Sequence, residues 1–249
     1  LNATSKLVKA WESKNAKNAA KAGGISMMAL SLAACGGSST TTTTSTTTTT
    51  TTTDAAQALA LTAGTDSVVG GSGADTITAG ELSTAGGAVA SFTAGDTVTG
   101  GEGADVLNWV STAAITAAPT GATVSGVETV NVTSGAAVTL STATGFTGTT
   151  ALNVTSVGDA NLTAAATTDI TATVSAQAAN GILADGGNDI TITTTGQTSG
   201  LITVGATTKA SGDVSVTANS ALTADGTNGQ IAVTGGDSIS VSQVAANTV

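Results

Sequence analysis

Two nine-residue segments constrain the fold of this chain more than any other feature of its sequence. Residues 70–78 read GGSGADTIT and residues 100–108 read GGEGADVLN. Both fit the pattern G-G-x-G-x-D-x-U-x, in which U is a large apolar residue, and this pattern is typical of a parallel β-roll. It alternates a six-residue glycine-rich turn with a three-residue strand, so the sequence predicts short strands stacked in parallel.

A partial copy of the pattern precedes each of these segments in the same nine-residue frame. Asp66 lies nine residues before Asp75, and Asp96 lies nine residues before Asp105. Adjacent turns in one frame matter because a cation held between the turns of a β-roll takes ligands from both of them. The two pairs of turns therefore form the candidate binding region.

The residue types in these turns indicate Ca²⁺. Calcium takes six to eight oxygen ligands at about 2.3–2.6 Å, whereas Mg²⁺ requires a smaller octahedral shell. Glycine allows the backbone to turn its carbonyl oxygens toward an ion, and aspartate supplies the charge. Ordinary Gly/Asp turns without metal are the alternative. The candidate ligands are Asp66, Gly71, Gly73, Asp75, Asp96, Gly101, Gly103 and Asp105.

From residue 122 onward the chain repeats short segments with alternating apolar residues, separated by Gly, Asn, Asp or Thr. Such segments predict an all-β sandwich, barrel or solenoid. We favour an irregular solenoid, because aromatic residues make up 2% of the chain and Pro119 is the only proline. Examples of the predicted strands are 127–132, 152–154, 170–174, 190–192, 202–204, 214–216, 231–233 and 239–241.

Three further acidic segments lie between these strands, at 185–189, 225–228 and 235–237. We interpret them as plain turns, with additional calcium sites as the alternative. The sequence stops just after a strand without a polar cap. A solenoid needs its ends covered, so we expect the protein to continue beyond residue 249.

The amino-terminal region differs from the rest. Residues 1–35 combine a basic segment, the apolar run GGISMMALSLAA and Cys35, and the sequence LAAC resembles the lipobox of bacterial lipoproteins. This predicts a lipidated Cys35; an uncleaved amphipathic helix is the alternative.

Residues 36–54, rich in Thr and Ser, predict an extended linker. We divide the remainder into a calcium-binding roll, 55–121, and a solenoid, 122–249.

Composition excludes several functions. The chain contains no His, Arg or Tyr, and beyond residue 35 it carries fifteen acidic residues against Lys209 alone. A surface this acidic repels nucleic acid and attracts cations. A β-helical polysaccharide lyase needs a base placed for proton abstraction, and Lys209 is the only candidate past residue 35. The sequence therefore predicts a protein that is not an enzyme and binds no nucleic acid.

Residues 61–134 resemble the repeats-in-toxin family of calcium-binding bacterial proteins. The similarity is clearest in LTAGTDSVVGGSGADTI at 61–77, FTAGDTVTGGEGADVLNWV at 92–110 and VSGVETVNVTS at 124–134. These phrases are similar to the surface-layer members of the family. The resemblance implies a secreted protein that assembles with itself into a calcium-dependent lattice on a Gram-negative cell. Separately, we expect the N-terminal segment to attach to outer-membrane lipid or lipopolysaccharide. The family usually carries longer runs of the nonapeptide.

Two other functions are consistent with a solenoid. One is a surface adhesin or stalk that forms no lattice. The other is ice binding, since Thr-x-Thr occurs at 76–78, 97–99, 171–173 and 191–193. Ice binding requires such pairs in register on one flat face. Their uneven spacing in the sequence argues against that arrangement.

Overall fold

Short strands with alternate side chains buried make up the part of the chain that the structure describes. The structure is a computed structural model, and it describes residues 48–49, 55–175, 181–197, 200–221 and 230–246. The strands are β1 (Thr48–Thr49), β2 (Ala58–Ala60), β3 (Ser67–Gly71), β4 (Thr76–Ala79), β5 (Glu81–Thr84), β6 (Gly87–Ala90), β7 (Thr97–Gly101), β8 (Val106–Ser111), β9 (Thr123–Ser125), β10 (Thr129–Ser134), β11 (Val138–Ser141), β12 (Phe146–Thr147), β13 (Ala151–Ser156), β14 (Ala160–Ala164), β15 (Asp169–Val174), β16 (Ile182–Gly186), β17 (Ile190–Gln197), β18 (Ile202–Val204), β19 (Val214–Ala221), β20 (Ile231–Val233) and β21 (Ile239–Ala246).

The strands form three parallel sheets and one hairpin. The long sheet has nine strands in the order β2-β4-β8-β10-β13-β15-β17-β19-β21. The first short sheet has the order β1-β3-β7-β9-β12, and the second has the order β11-β14-β16-β18-β20. The chain alternates between the long sheet and one of the short sheets. It is therefore a parallel β-solenoid of about eight turns.

The core lies between the long sheet and the first short sheet up to β12, and between the long sheet and the second short sheet from β11 onward. One inward-pointing column of the long sheet is continuous in register from β2 to β21: Leu59, Ile77, Leu107, Val130, Leu152, Ile170, Ile190, Val214 and Ile239. Its members from Ile77 to Val214 are buried. Truncating such a fully buried Leu or Ile to Ala costs about 2–5 kcal/mol. This column explains why small and medium aliphatic residues suffice for the core.

In the middle of the molecule, the first short sheet ends and the second short sheet begins. One turn of the chain there contributes β10 to the long sheet, β11 to the second short sheet and β12 to the first. The first short sheet ends at β12, and the second continues to β20. The long sheet runs without interruption across 121–122, where we divided the calcium-binding roll from the C-terminal solenoid.

A hairpin, β5–β6, is inserted between β4 and β7 and pairs antiparallel. The Glu81 carboxylate fixes it to the next turn, accepting hydrogen bonds from the Thr112 backbone N–H at 2.7 Å and from the hydroxyls of Thr112 and Ser111. The bond from the Thr112 N–H is the main reason that the pKa of Glu81 lies below its ordinary value.

The predicted all-β solenoid is confirmed, and no helix occurs in the described residues. Each predicted strand from 127 to 241 overlaps an observed one. The prediction of a turn is wrong for Asp185 and Gly186, because both belong to β16.

Residues 1–35 with Cys35, and the segment 225–228, lie outside the described residues. Within the Thr-rich segment, Thr48–Thr49 pairs with β3. The described part contains no helix that is long and apolar enough to cross a membrane.

Candidate metal site

The predicted ligands lie on two different sets of turns. Residues 71–75, 101–105 and 126–128 lead from the first short sheet to the long sheet, and we call these turns the glycine-rich edge. Residues 61–66 and 91–96 lead from the long sheet, directly or through the hairpin, to the first short sheet, and we call these turns the threonine edge. Asp75 and Asp105 belong to the first edge, and Asp66 and Asp96 belong to the second.

On the glycine-rich edge, three carboxylates from successive turns form a column that we call the carboxylate stack: Asp75, Asp105 and Glu128. Each accepts a hydrogen bond from the backbone N–H at the equivalent position of the preceding turn. Gln57 N donates to Asp75 Oδ1 at 2.7 Å, Asp75 N to Asp105 Oδ1 at 2.7 Å, and Asp105 N to Glu128 Oε2 at 2.8 Å. The stack therefore links four turns of the solenoid.

One oxygen of each aspartate in the stack has no hydrogen-bond donor. Asp75 Oδ2 and Asp105 Oδ2 are both buried and unpartnered, and the two side chains are 1% and 0% exposed. A buried charged acceptor that lacks a donor is costly to folding, because it has lost its hydration without compensation. Each orphaned oxygen therefore marks a place where a cation or a proton would stabilise the fold.

Glycines line these orphaned oxygens. A Cβ added at Gly70 would overlap with Asp75 Oδ2 and with the carbonyl oxygen of Gly100. A Cβ added at Gly100 would overlap in the same way with Asp105 Oδ2 and with the carbonyl oxygen of Gly126. Each carboxylate oxygen thus lies beside a carbonyl oxygen of the following turn. Both approaches require glycine.

The four glycines predicted as ligands lie where consecutive turns touch. Gly101 and Gly103 have φ angles of 115° and 123°, a region that favours glycine. A Cβ at either position would collide with the backbone of Gly71 or Gly73 in the preceding turn. The Gly71 carbonyl accepts a hydrogen bond from Glu102 N at 2.8 Å. These glycines permit the close stacking of the turns.

Burial and neighbouring charges both affect the ionisation of Asp105 in the stack. The pKa of Asp105 is raised above its ordinary value, first because burial removes its hydration and further because of the charges of Asp75 and Glu128. The hydrogen bond from Asp75 opposes this shift in the pKa of Asp105. Nearby like charges disfavour the ionised form of Asp105, and a cation beside this carboxylate would favour it.

On the threonine edge the same residue type has a different environment. Asp66 accepts hydrogen bonds from Thr62 N at 2.6 Å and Thr62 Oγ1 at 2.8 Å. Asp96 accepts from Asp66 N at 2.8 Å, Thr93 N at 2.6 Å and Thr93 Oγ1 at 3.2 Å. All four carboxylate oxygens therefore have donors, and these aspartates close the turns as side-chain caps.

The donors on the glycine-rich edge suit a cation of the calcium type. Among the described residues, no three Asp, Glu or Cys side chains are grouped closely enough to hold a metal by themselves. A metal here would combine the orphaned carboxylate oxygens with backbone carbonyls, and this oxygen-only set is the one that Ca²⁺ prefers. The stack therefore fits such an ion in donor chemistry, with Asp75 and Asp105 as the charged ligands.

Gly70, Gly100 and Glu128 were not among the predicted ligands. The two glycines were visible as the first residue of each nonapeptide, but their role against the next turn depends on stacking. Glu128 carried no signal, because it lies in a turn that does not match the nonapeptide.

Two acidic residues of the segment 185–189 accept hydrogen bonds from backbone N–H groups through their carboxylates. Asp185 Oδ1 accepts from Thr207 N at 2.9 Å, and Asp189 Oδ1 accepts from Asp213 N at 2.7 Å. Asp237 belongs to the predicted turn at 235–237 and donates its N–H to the Gly212 carbonyl at 2.8 Å. The orphaned buried oxygens of the described region lie in the carboxylate stack alone.

The fold and its edges define the described part of the chain as a parallel β-solenoid with a carboxylate stack along one edge, in which the two aspartates are buried and Glu128 is half-buried. No protein-family model matches the sequence, and no curated protein matches it. The functional assignment therefore depends on the geometry of the stack and of the sheet surfaces.

Proposed function

We propose that this chain is a structural protein of the bacterial cell surface, a calcium-stabilised β-solenoid that assembles with itself into a surface layer. The observation that carries the proposal is the pair of orphaned oxygens in the carboxylate stack, on Asp75 and Asp105. The resemblance of residues 61–134 to calcium-binding surface-layer proteins supports the same ion and the same location.

Calcium would act on this chain through linked folding. An ion that binds only the folded state stabilises it by about 2.7 kcal/mol per site at a hundredfold excess over its Kd. Cytosolic calcium is low and external calcium is high, so the metal would favour folding after export. Such a protein would assemble where it is needed, outside the cell.

Charge supports a link between calcium and self-association. Beyond residue 35 the formal charge is −14, from Lys209 against fifteen acidic residues. Copies with this charge repel one another at low ionic strength. Bound calcium would reduce that repulsion and permit packing. The N-terminal segment 1–35 would supply attachment to outer-membrane lipid or lipopolysaccharide.

The proposed role is not enzymatic. A groove of about 270 Å³ lies beside Asp159, between strands β11, β14 and β16. Its titratable lining is that single carboxylate, and acid–base catalysis would require a positioned partner group. Lys209 is exposed on a turn after β18.

A surface adhesin or stalk that binds calcium without forming a lattice is the alternative function.

The test is a calcium titration of the full chain, with Mg²⁺ as the control ion. Far-UV circular dichroism reports folding, and light scattering reports particle size in the same samples. We expect a calcium-specific rise in β signal together with large assemblies. Folding without assembly would favour the adhesin or stalk, and indifference of both signals to calcium would contradict the proposal.

The double variant Asp75→Asn plus Asp105→Asn assigns the effect to the stack. It should raise the calcium concentration needed for folding, because the amides keep the hydrogen bonds but lose the charge. The double variant Asp66→Asn plus Asp96→Asn is the matched control. An unchanged calcium midpoint in the first variant would rule out the stack as the site.

A second candidate function, binding to ice, is favoured by the register of the long sheet. The expectation that the Thr-x-Thr pairs would be out of register is wrong for two of them: Thr171–Thr173 lies directly beside Thr191–Thr193. Similar pairs extend this array over six strands. One column contains Asn131, Asn153, Thr171, Thr191, Ser215 and Ser240, and the other contains Thr133, Thr155, Thr173, Thr193, Thr217 and Ser242.

These columns form a regular grid of polar groups on the outer face of the sheet. Its repeats are about 4.8 Å between strands and about 6.7 Å along them. A grid of fixed hydroxyl and amide groups can order water in the manner of a crystal face. Thr193→Lys, at the centre of the grid, should abolish inhibition of ice growth, and Thr203→Lys on the second short sheet should leave it intact. Ice growth unaffected by the wild-type chain would exclude this candidate.

A further inference from the structure

The carboxylate stack extends one turn beyond the nonapeptides, to Glu128. In the sheet registers Gly126 occupies the position of Gly100, and Glu128 occupies the position of Asp105. Four residues separate Gly100 from Asp105, but Val127 alone separates Gly126 from Glu128. The turn is three residues shorter, and the longer glutamate side chain reaches the same backbone N–H that an aspartate reaches in the turns above.

The two gaps between the turns of the stack are built alike. In the first gap, Asp75 Oδ2 and the Gly100 carbonyl oxygen both lie where a Cβ at Gly70 would be. In the second gap, Asp105 Oδ2 and the Gly126 carbonyl oxygen both lie where a Cβ at Gly100 would be. Both carboxylate oxygens are buried and lack a hydrogen-bond donor. The nonapeptide pattern spans the first gap only. The second gap has the same oxygens without the pattern.

No basic side chain among the described residues neutralises the stack. Lys209 is the one lysine beyond residue 35, and it lies against Gly235 near the C-terminal turns. Three carboxylates therefore follow one another at the strand spacing of about 4.8 Å. Asp75 and Asp105 are buried and Glu128 is half-buried. Removing like charges from water without a counter-charge is unfavourable, and one cation between Asp75 and Asp105 would leave Glu128 without a counter-charge.

We infer that the stack binds two divalent cations, and that the second lies between Asp105 and Glu128 with the Gly126 carbonyl oxygen as a further ligand. This inference rests on the proposed calcium-dependent function. It adds Glu128 and Gly126 as ligands and makes the stack a two-ion site. The second ion joins the turn that follows the nonapeptides to the roll above it, so metal binding stabilises the start of the C-terminal solenoid as well.

The test counts calcium ions bound to the full chain by equilibrium dialysis, with isothermal calorimetry for affinity. The wild-type chain should bind two ions. Glu128→Gln should bind one, because the amide retains the acceptor for Asp105 N and removes the charge. Glu128→Asp should also bind one, because it keeps the charge but is too short to reach the gap. Circular dichroism at saturating calcium verifies that each variant is folded.

Glu102→Gln is the matched control. Glu102 lies in the same glycine-rich edge but is exposed, so its substitution removes the same charge and should leave two ions bound. If Glu128→Gln binds as many ions as the wild-type chain with unchanged affinity, the inference is wrong.

The outcomes separate this inference from the proposal on which it rests. One ion in the wild-type chain, lost in Asp75→Asn plus Asp105→Asn and retained in Glu128→Gln, would overturn the second site alone. No calcium bound to the wild-type chain would overturn both.

Discussion

The glycine-rich edge and the threonine edge carry the same residue in the same nine-residue frame, yet their aspartates have opposite environments. Asp66 and Asp96 are buried and have every carboxylate oxygen satisfied by a hydrogen-bond donor. Asp75 and Asp105 are equally buried, and each keeps one oxygen without a donor. The difference comes from Thr62 and Thr93, which lie three or four residues before the aspartates of one edge.

This contrast shows how a single motif serves two purposes. A threonine placed before the aspartate supplies both an N–H and a hydroxyl, so the carboxylate completes a turn. Glycines placed before the aspartate supply no side-chain donor and admit the next turn closely. On the threonine edge every aspartate oxygen therefore has a hydrogen-bond donor, whereas on the glycine-rich edge one oxygen of each aspartate has none.

The largest expected effect is the loss of a fully satisfied aspartate. Asp96→Ala removes the acceptor of three hydrogen bonds, and we expect it to lower the free energy of unfolding of the calcium-free chain by about 3 kcal/mol. Asp105→Ala should cost only about 1 kcal/mol, since it frees one N–H and removes an uncompensated charge. Chemical denaturation measures both. Equal losses would remove the distinction between the edges.

The next effect is the loss of calcium stabilisation. Asp75→Asn should eliminate most of the roughly 2.7 kcal/mol that one site contributes at a hundredfold excess of calcium. Asp66→Asn should lower stability with and without calcium by the same amount. Thermal denaturation with calcium and with a chelator gives the comparison. A calcium effect lost in Asp66→Asn and kept in Asp75→Asn would reverse the assignment.

The pH dependence of the calcium-free chain sharpens the contrast further. The folded-state pKa of Asp105 lies above its ordinary value because of burial and the neighbouring carboxylates. The folded chain therefore binds more protons than the unfolded chain between these two pKa values, and its stability should increase as pH falls through that window. Melting curves recorded from neutral pH downward, compared with Asp105→Asn, measure this contribution. The same slope in the variant would show that other groups produce it.

The smallest effect concerns Glu81, a half-exposed carboxylate whose oxygens also accept hydrogen bonds from a threonine. Glu81→Gln should leave the melting temperature of the chain almost unchanged, because solvent competes for these hydrogen bonds. Its consequence should be local, with faster hydrogen exchange at the amides of the hairpin and of Thr112. Glu102→Gln provides the control for loss of one surface charge. Unchanged exchange in the hairpin would show that Glu81 does not anchor it.

Much of the fold follows from alternation of residue types in the sequence. Strands such as β18 and β20 begin and end where Ile202–Val204 and Ile231–Val233 predict. The strands β14 and β16 were missed, because Ala, Asn, Asp and Gly in their sequences resemble a turn. Burial of Leu162 and Ala184 against the long sheet outweighs those local preferences.

The candidate site was only partly predictable. The sequence indicated Asp75 and Asp105 through the glycines around them, but it gave Asp66 and Asp96 the same role. It did not indicate Glu128, whose place in the stack depends on a turn that is three residues shorter. The uneven spacing of Thr171 and Thr191 likewise concealed their register, because loops absorb the difference in length and the strands do not.

The sequence alone determined the architecture: apolar alternation, scarce aromatics and repeated glycines permit thin parallel turns around a narrow aliphatic core. Tertiary structure decided which carboxylates have a hydrogen-bond donor on both oxygens and which keep one oxygen without a donor. The physical reason is that hydrogen bonds between turns join residues about 18 to 30 positions apart. Their partners are set by the stacking of whole turns, a relation that no local pattern encodes.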